Sequence, residues 1–222
     1  MKPFTNGLIF ILCGLAVSSP ASALINVTPS VTEVADKPAT FNISNTGDRP
    51  EFVSISLSRL LNPGVEFKDE RLEAIVQVTQ PRLYATPFKL MLAPGQSKNI
   101  TVKPLLGVAE EQVYRLEVKP VVNLIDPKMT SVAGNVLVNL AYSSLVRHLP
   151  EKQTSMLTVK CEADGARFFA SGTTRFHVKD VTVDGKPSES FNVYPGVPIL
   201  VKGTKIKVPQ QAGCSPPPPL RH

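Results

Sequence analysis

Apolar and polar residues alternate along most of this chain. Residues 40–44 (TFNIS), 52–57 (FVSISL) and 99–102 (NITV) keep a period of two, and 113–121 (VYRLEVKPV) keeps much of it. A period of two places successive side chains on opposite faces of a strand, one face buried. Turn residues punctuate these runs at Asn45-Thr46-Gly47, Asn62-Pro63-Gly64, Pro94-Gly95 and Asp126-Pro127. Short strands at this spacing predict a β-sandwich, with enough runs between residues 24 and 148 for about seven strands.

The longest alternating run follows. Val136, Val138 and Leu140 fall on one face, Leu137, Asn139 and Ala141 on the other, and the run continues through Tyr142 to Arg147 and His148 before Leu149-Pro150 ends it. A sandwich strand is usually about five or six residues. Two readings stand: a strand left open at an edge so that another chain can pair with it, or a core strand with a fraying end. His148 reads as a surface histidine at the strand end.

Beyond Pro150 a second, smaller set begins. Residues 156–159, 166–170, 175–183, 191–194 and 199–208 read as strands, with Asp184-Gly185 as a type I′ hairpin turn. The organisation expected is all-β, with a first domain at 24–150, a small second sandwich at 151–214 and a proline-rich tail at 215–222. Proline supports this, since 21 of 222 residues at this density disfavour long helices.

Residues 1–23 read as an export signal. Lys2 is followed by the apolar run 8–17 (LIFILCGLAV) and then Ala21-Ser22-Ala23, small residues suited to cleavage near Ala23. The run is half the ~20 residues that a membrane helix needs. Export leaves Cys161 and Cys214, a candidate disulfide; the alternative is two free thiols. The formal net charge of +6 is spread without a run of more than two basic residues, and there is no Trp. Neither a nucleic-acid surface nor a stacking platform is expected. His148, His177 and His222 lack metal-ligand spacing, and no linear catalytic or cofactor motif occurs; Gly95-Gln96-Ser97 is a turn rather than a nucleophile elbow. No cofactor, metal or catalysis is expected.

Four stretches, in order, carry a resemblance: Leu61-Asn62-Pro63-Gly64; Ala85-Thr86-Pro87 with 92–97 (LAPGQS); 111–115 (EQVYR); and 135–150 (NVLVNLAYSSLVRHLP). With the export signal and the two-domain length, the chain resembles periplasmic chaperones of the chaperone–usher pilus pathway, in the class 5 fimbrial branch related to PapD. The resemblance implies two immunoglobulin-like domains set as an L or boomerang. It implies a donor strand at 135–148 whose Val136, Val138, Leu140 and Tyr142 fill the groove of a fimbrial subunit. An outer-membrane usher would then receive the subunit, and the free protein would be open to self-capping as a dimer. Such chaperones hold the subunit's C-terminal carboxylate with an Arg on the first strand and a Lys on the donor strand. Here the first strand reads 26–31 (NVTPSV) without Arg, and Tyr142-Ser143-Ser144 stands where the Lys is expected. Ser143 and Arg147 are the candidates left for that anchor, with Arg147 alternatively bracing the interdomain turn.

Overall fold

The computed structural model describes residues 25–121, 140–209, 211 and 213–215. The export signal, Val136, Val138 and the run of prolines in the tail lie outside these residues. The first ten strands are β1 (Ile25–Thr28), β2 (Val31–Val34), β3 (Ala39–Asn45), β4 (Glu51–Leu60), β5 (Leu72–Ala74), β6 (Leu83–Thr86), β7 (Lys89–Leu92), β8 (Ser97–Pro104), β9 (Gln112–Pro120) and β10 (Tyr142–His148). They form two facing sheets, ordered β1-β3-β8-β6 and β2-β10-β9-β4-β5, with β7 also on β4. The alternating residues behave as their period demands. Phe41 and Ile43 of β3, Val53, Ile55 and Leu57 of β4, Ile100 and Val102 of β8, and Leu116 and Val118 of β9 fill one core between the sheets. Burying each such side chain contributes roughly 1.5–3 kcal/mol.

The opening segment does not form the single strand read from residues 26–31. It divides at Pro29: β1 pairs with β3 in one sheet, and β2 pairs in parallel with β10 in the other. Proline has no N–H to continue a ladder, so the chain changes sheets there.

The second set comprises β11 (Leu157–Glu162), β12 (Gly165–Ala170), β13 (Phe176–Val178), β14 (Thr182–Val183), β15 (Lys186–Pro187), β16 (Phe191–Val193), β17 (Ile199–Lys202) and β18 (Ile206–Lys207). Sheets β11-β12-β17, β13-β16 and β15-β14-β18 enclose a separate core around Phe168, Val178, Val193 and Ile206. Two expected strands are broken. Residues 175–183 divide where Asp180 adopts φ 55°, and 199–208 divide between β17 and β18. Asp184 (φ 51°) and Gly185 (φ 83°) both lie in the left-handed region between paired Val183 and Lys186, as a two-residue I′ turn requires. Cys161 of β11 and Cys214 form a disulfide, and Cys214 is buried beside Ile206, to which it is bonded through both backbone groups.

A third, small apolar cluster joins the two sets. Leu60, Val113 and Leu145 on the outer face of the first unit meet Tyr194 and Val197 of the second. Gly64 belongs to this seam. Its φ is +97°, and an added Cβ would lie 2.9 Å from the Asn192 carbonyl oxygen, so only glycine fits.

Candidate functional site

β10 is not an edge strand along its whole length. From Tyr142 to His148 it pairs with β9 on one side. On the other side β2 covers only Leu145 to His148, and the Leu145 N–H donates to the Ser30 carbonyl where that pairing begins. Among the described residues, no strand pairs with that side of Tyr142, Ser143 and Ser144. Among the described residues the edge is therefore open here, with backbone groups available to an added strand.

The even-numbered side chains of β10 face inward. Val146 is in the first core, Ser144 and His148 are buried, and Tyr142 packs against that core. Tyr142 thus serves the chain's own sandwich, whereas Leu140, just before the strand, is 53% exposed. Of the four apolar donor candidates, these two are brought together at the open edge, and Val136 and Val138 share their sequence parity.

The odd-numbered side chains face the seam. Leu145 enters the cluster with Tyr194, and Arg147 is buried in a charge network. Its Nε donates to Glu111 Oε1 at 2.6 Å and its Nη2 to Glu111 Oε2 at 3.0 Å, while Nη1 pairs with Glu33. Bidentate pairing of this kind fixes both planes. Hydrogen bonding and charge from Glu111, then charge from Glu33, outweigh burial and hold the guanidinium above its usual range. Glu111 also ties the units together: its Oε2 accepts the Arg175 N–H at 2.7 Å, and its own N–H donates to the Thr173 carbonyl at 2.8 Å. The guanidinium of Arg147 is held by two carboxylates of its own chain, Glu111 and Glu33. Sequence reasoning missed Glu111 as a partner. It lies 36 residues from Arg147, and no local period signals a pair across that distance.

Ser143 is the second anchor candidate. Its Oγ is buried and has no hydrogen-bond partner among the described residues. Opposite it on β9, Glu117 is held by Lys119 at 3.0 Å.

His148 is fully buried, contrary to the surface reading, because its inward parity carries it into the sandwich beside Tyr114. Neither ring nitrogen has a partner among the described residues. Burial first, and the charge of Arg82 second, lower its pKa to about 4. Unfolded histidine titrates near ~6.5. The unfolded chain therefore takes up a proton that the folded chain refuses, and stability falls as pH drops from about 6.5 towards 4. The expected loss is at most about 3 kcal/mol. Urea midpoints at pH 7 and pH 4.5 test it, since His148→Phe should flatten the dependence. An unchanged slope in that variant would assign the acid sensitivity elsewhere.

No family model matches the chain. Among curated proteins it is similar to a CFA/I fimbrial subunit of Escherichia coli, 28% identical over 160 residues, which is 65% of each chain. It also matches a CS1 fimbrial subunit of Escherichia coli, 26% identical over 66% of each chain. The chain thus spans just under two thirds of the length of these curated relatives. Among solved structures it superposes on the class 5 fimbriae chaperone CfaA with a TM-score of 0.67 and 23% identity, covering 85% of this chain and 93% of that one. These likenesses show that the chain has the two-domain immunoglobulin-like fold of the fimbrial chaperones.

Proposed function

We propose that this chain is a periplasmic assembly chaperone of the chaperone–usher pathway, acting without catalysis. It lends β10 and the preceding residues to a fimbrial subunit and passes that subunit to an outer-membrane usher. The single observation that carries this reading is the open side of Tyr142 to Ser144, next to exposed Leu140. An added strand there satisfies backbone groups, and alternate apolar side chains enter the partner's groove. Val136, Val138 and Leu140 are the donor side chains, each contributing roughly 1.5–3 kcal/mol on burial. Support comes from the fold shared with solved fimbrial chaperones. The first domain is assigned to 24–150 and the second to 151–214, with export directed by residues 1–23. Among the described residues no helix is long and apolar enough to cross a membrane.

The test is a tagged pull-down from the native periplasm, with the co-purified protein identified and its stoichiometry measured. A one-to-one complex with a small secreted β-rich subunit is expected. Val138→Asp and Leu140→Asp should each lower recovery by 100-fold or more, on the order of the cost of an unpaired charge in an apolar groove. Leu140 is exposed in the free chain, so its variant should melt as the wild type does. Full recovery with both variants would remove the donor-strand reading. The curated relatives are themselves described as fimbrial subunits, which favours a second reading, a structural component of the fibre. Appearance of the chain in sheared surface fibres would establish that one instead.

A further inference from the structure

β2 and β10 run parallel, so both chains leave their ladder in the same direction. The last matched residues are Val34 and His148, and the Leu149 N–H donates to the Val34 carbonyl at 2.8 Å. The turn after β2 and the linker after β10 therefore emerge side by side. Each carries an acid there, Asp36 in the turn and Glu151 in the linker, and both line one cavity of about 690 Å³. No Lys, Arg or His lines that cavity among the described residues. Lys37 and Lys152 are the acids' sequence neighbours, yet neither carboxylate forms an ion pair or a side-chain hydrogen bond among those residues. Arg82 is held nearby, with its Nη1 donating to the Gly107 carbonyl.

The rest of the wall is mostly apolar, with Pro104, Leu105, Leu106 and Leu149. Leu149 is buried, but Leu105 is 51% exposed and Leu106 46%. Singly scattered surface leucines are ordinary, whereas adjacent ones on a concave wall mark a contact surface. The wall is also held in place. The Leu105 N–H donates to the Arg82 carbonyl at 2.8 Å, and the Thr173 hydroxyl of the second unit donates to the Lys152 carbonyl at 2.7 Å. Glu151 thus lies between two anchored residues. Two like charges in one cavity repel each other, and neither acid takes part in the seam network or the open edge. We infer that this cavity is a binding site for a small organic cation, an ammonium group on an apolar body. Asp36 and Glu151 receive the ammonium, and Leu105 and Leu106 cover the body. A concave, largely apolar site with a few polar groups, set where two units meet, suits a small ligand of this kind. A divalent metal fits it less well, because two carboxylates supply few of the oxygens such an ion needs and the leucines would have no part. The site stands apart from the strand-donation reading and does not rest on it. Occupied, it ties the turn of the first unit to the linker between the units.

Phenylbutylammonium, phenylbutanol and phenylbutyrate share one body and differ in charge. Each is titrated into the full chain while the methyl signals of Leu105 and Leu106 are followed, assigned by their loss in Leu105→Ala and Leu106→Ala. Saturable shifts with the ammonium are expected at a Kd of about 1 mM, the scale for a probe of this size. The alcohol should bind at least about 10-fold more weakly, and the butyrate more weakly still. Asp36→Asn and Glu151→Gln should each weaken the ammonium about 5-fold and together about 20-fold. Both side chains are exposed, so the variants should melt as the wild type does. No saturable shift with the ammonium up to about 20 mM overturns the site. Equal affinity for the ammonium and the alcohol, or a double variant that binds as the wild type does, overturns the assignment to a cation.

Discussion

Glu111→Ala should destabilise the protein by about 3–5 kcal/mol, because it strands a buried guanidinium. The Glu111 side chain is fully buried, and it holds both Nε and Nη2 of Arg147 as well as the Arg175 N–H. Glu33 is no substitute. Its side chain is 55% exposed, so Glu33→Ala should cost under about 1 kcal/mol. Urea unfolding of the two variants side by side reads the difference. The charge pair is expected to serve geometry more than stability. A Glu111→Leu/Arg147→Met double variant should recover most of the lost stability, since well-packed apolar residues often replace a buried pair without penalty. It would still lose the tie to Arg175, and small-angle scattering should then show a wider distribution of interdomain angles. A loss below about 1 kcal/mol in Glu111→Ala would mean that the seam is held by Leu60, Val113, Leu145, Tyr194 and Val197 alone.

The same seam marks the limit of what the sequence makes legible. Alternation locates β3, β4, β8 and β9 because each buries one face against a single large core, and a period of two is the direct record of that burial. It is weaker in the second unit, where β14, β15 and β18 are two residues long and cannot establish a period. The long run ending at His148 shows its apolar parity plainly. What parity cannot show is which residues have a neighbour on each side. That depends on where Pro29 sends the first segment, and only the parallel pairing of β2 with Leu145 to His148 separates a covered half of β10 from an open one. Charges are harder still. Arg147 and Arg175 look alike in sequence as single cations near strand ends. Their difference lies in Glu111, 64 residues before Arg175, which neutralises one side chain and touches only the backbone of the other. Glu111 stands within the third stretch of the resemblance, but nothing in that stretch discloses its role.

Loss of the Cys161–Cys214 disulfide should unfold the second unit while leaving the first intact. The bond joins residues 53 apart, and in the chain-entropy model a loop of that length restricts the unfolded chain by about 4 kcal/mol. That is large beside the few kcal/mol that a small core supplies on its own. The core concerned is small: Ala166, Phe168, Val178, Val181, Val193, Ile206, Val208 and Cys214 itself. The bond also fastens β11, an edge strand with largely exposed side chains, to the segment that bridges Ile206. The Cys161→Ser/Cys214→Ser double variant removes the link without leaving a reactive thiol. Limited proteolysis should cut it within residues 151–214 under conditions where the wild type is resistant, and release a stable first unit. That unit has its own core and no cysteine among its described residues. Binding should fall with it. Thr173, Arg175 and Tyr194 all belong to the second unit, so its loss frees Glu111 from its cross-seam partners and opens the outer face of Leu145 to water. The proposed donor edge would remain on the first unit, and on that proposal residual subunit capture by the variant is expected. Protease resistance equal to the wild type would show that β12 and its neighbours hold the second unit without the bond, and complete loss of capture would show that the seam, rather than the edge, carries most of the affinity.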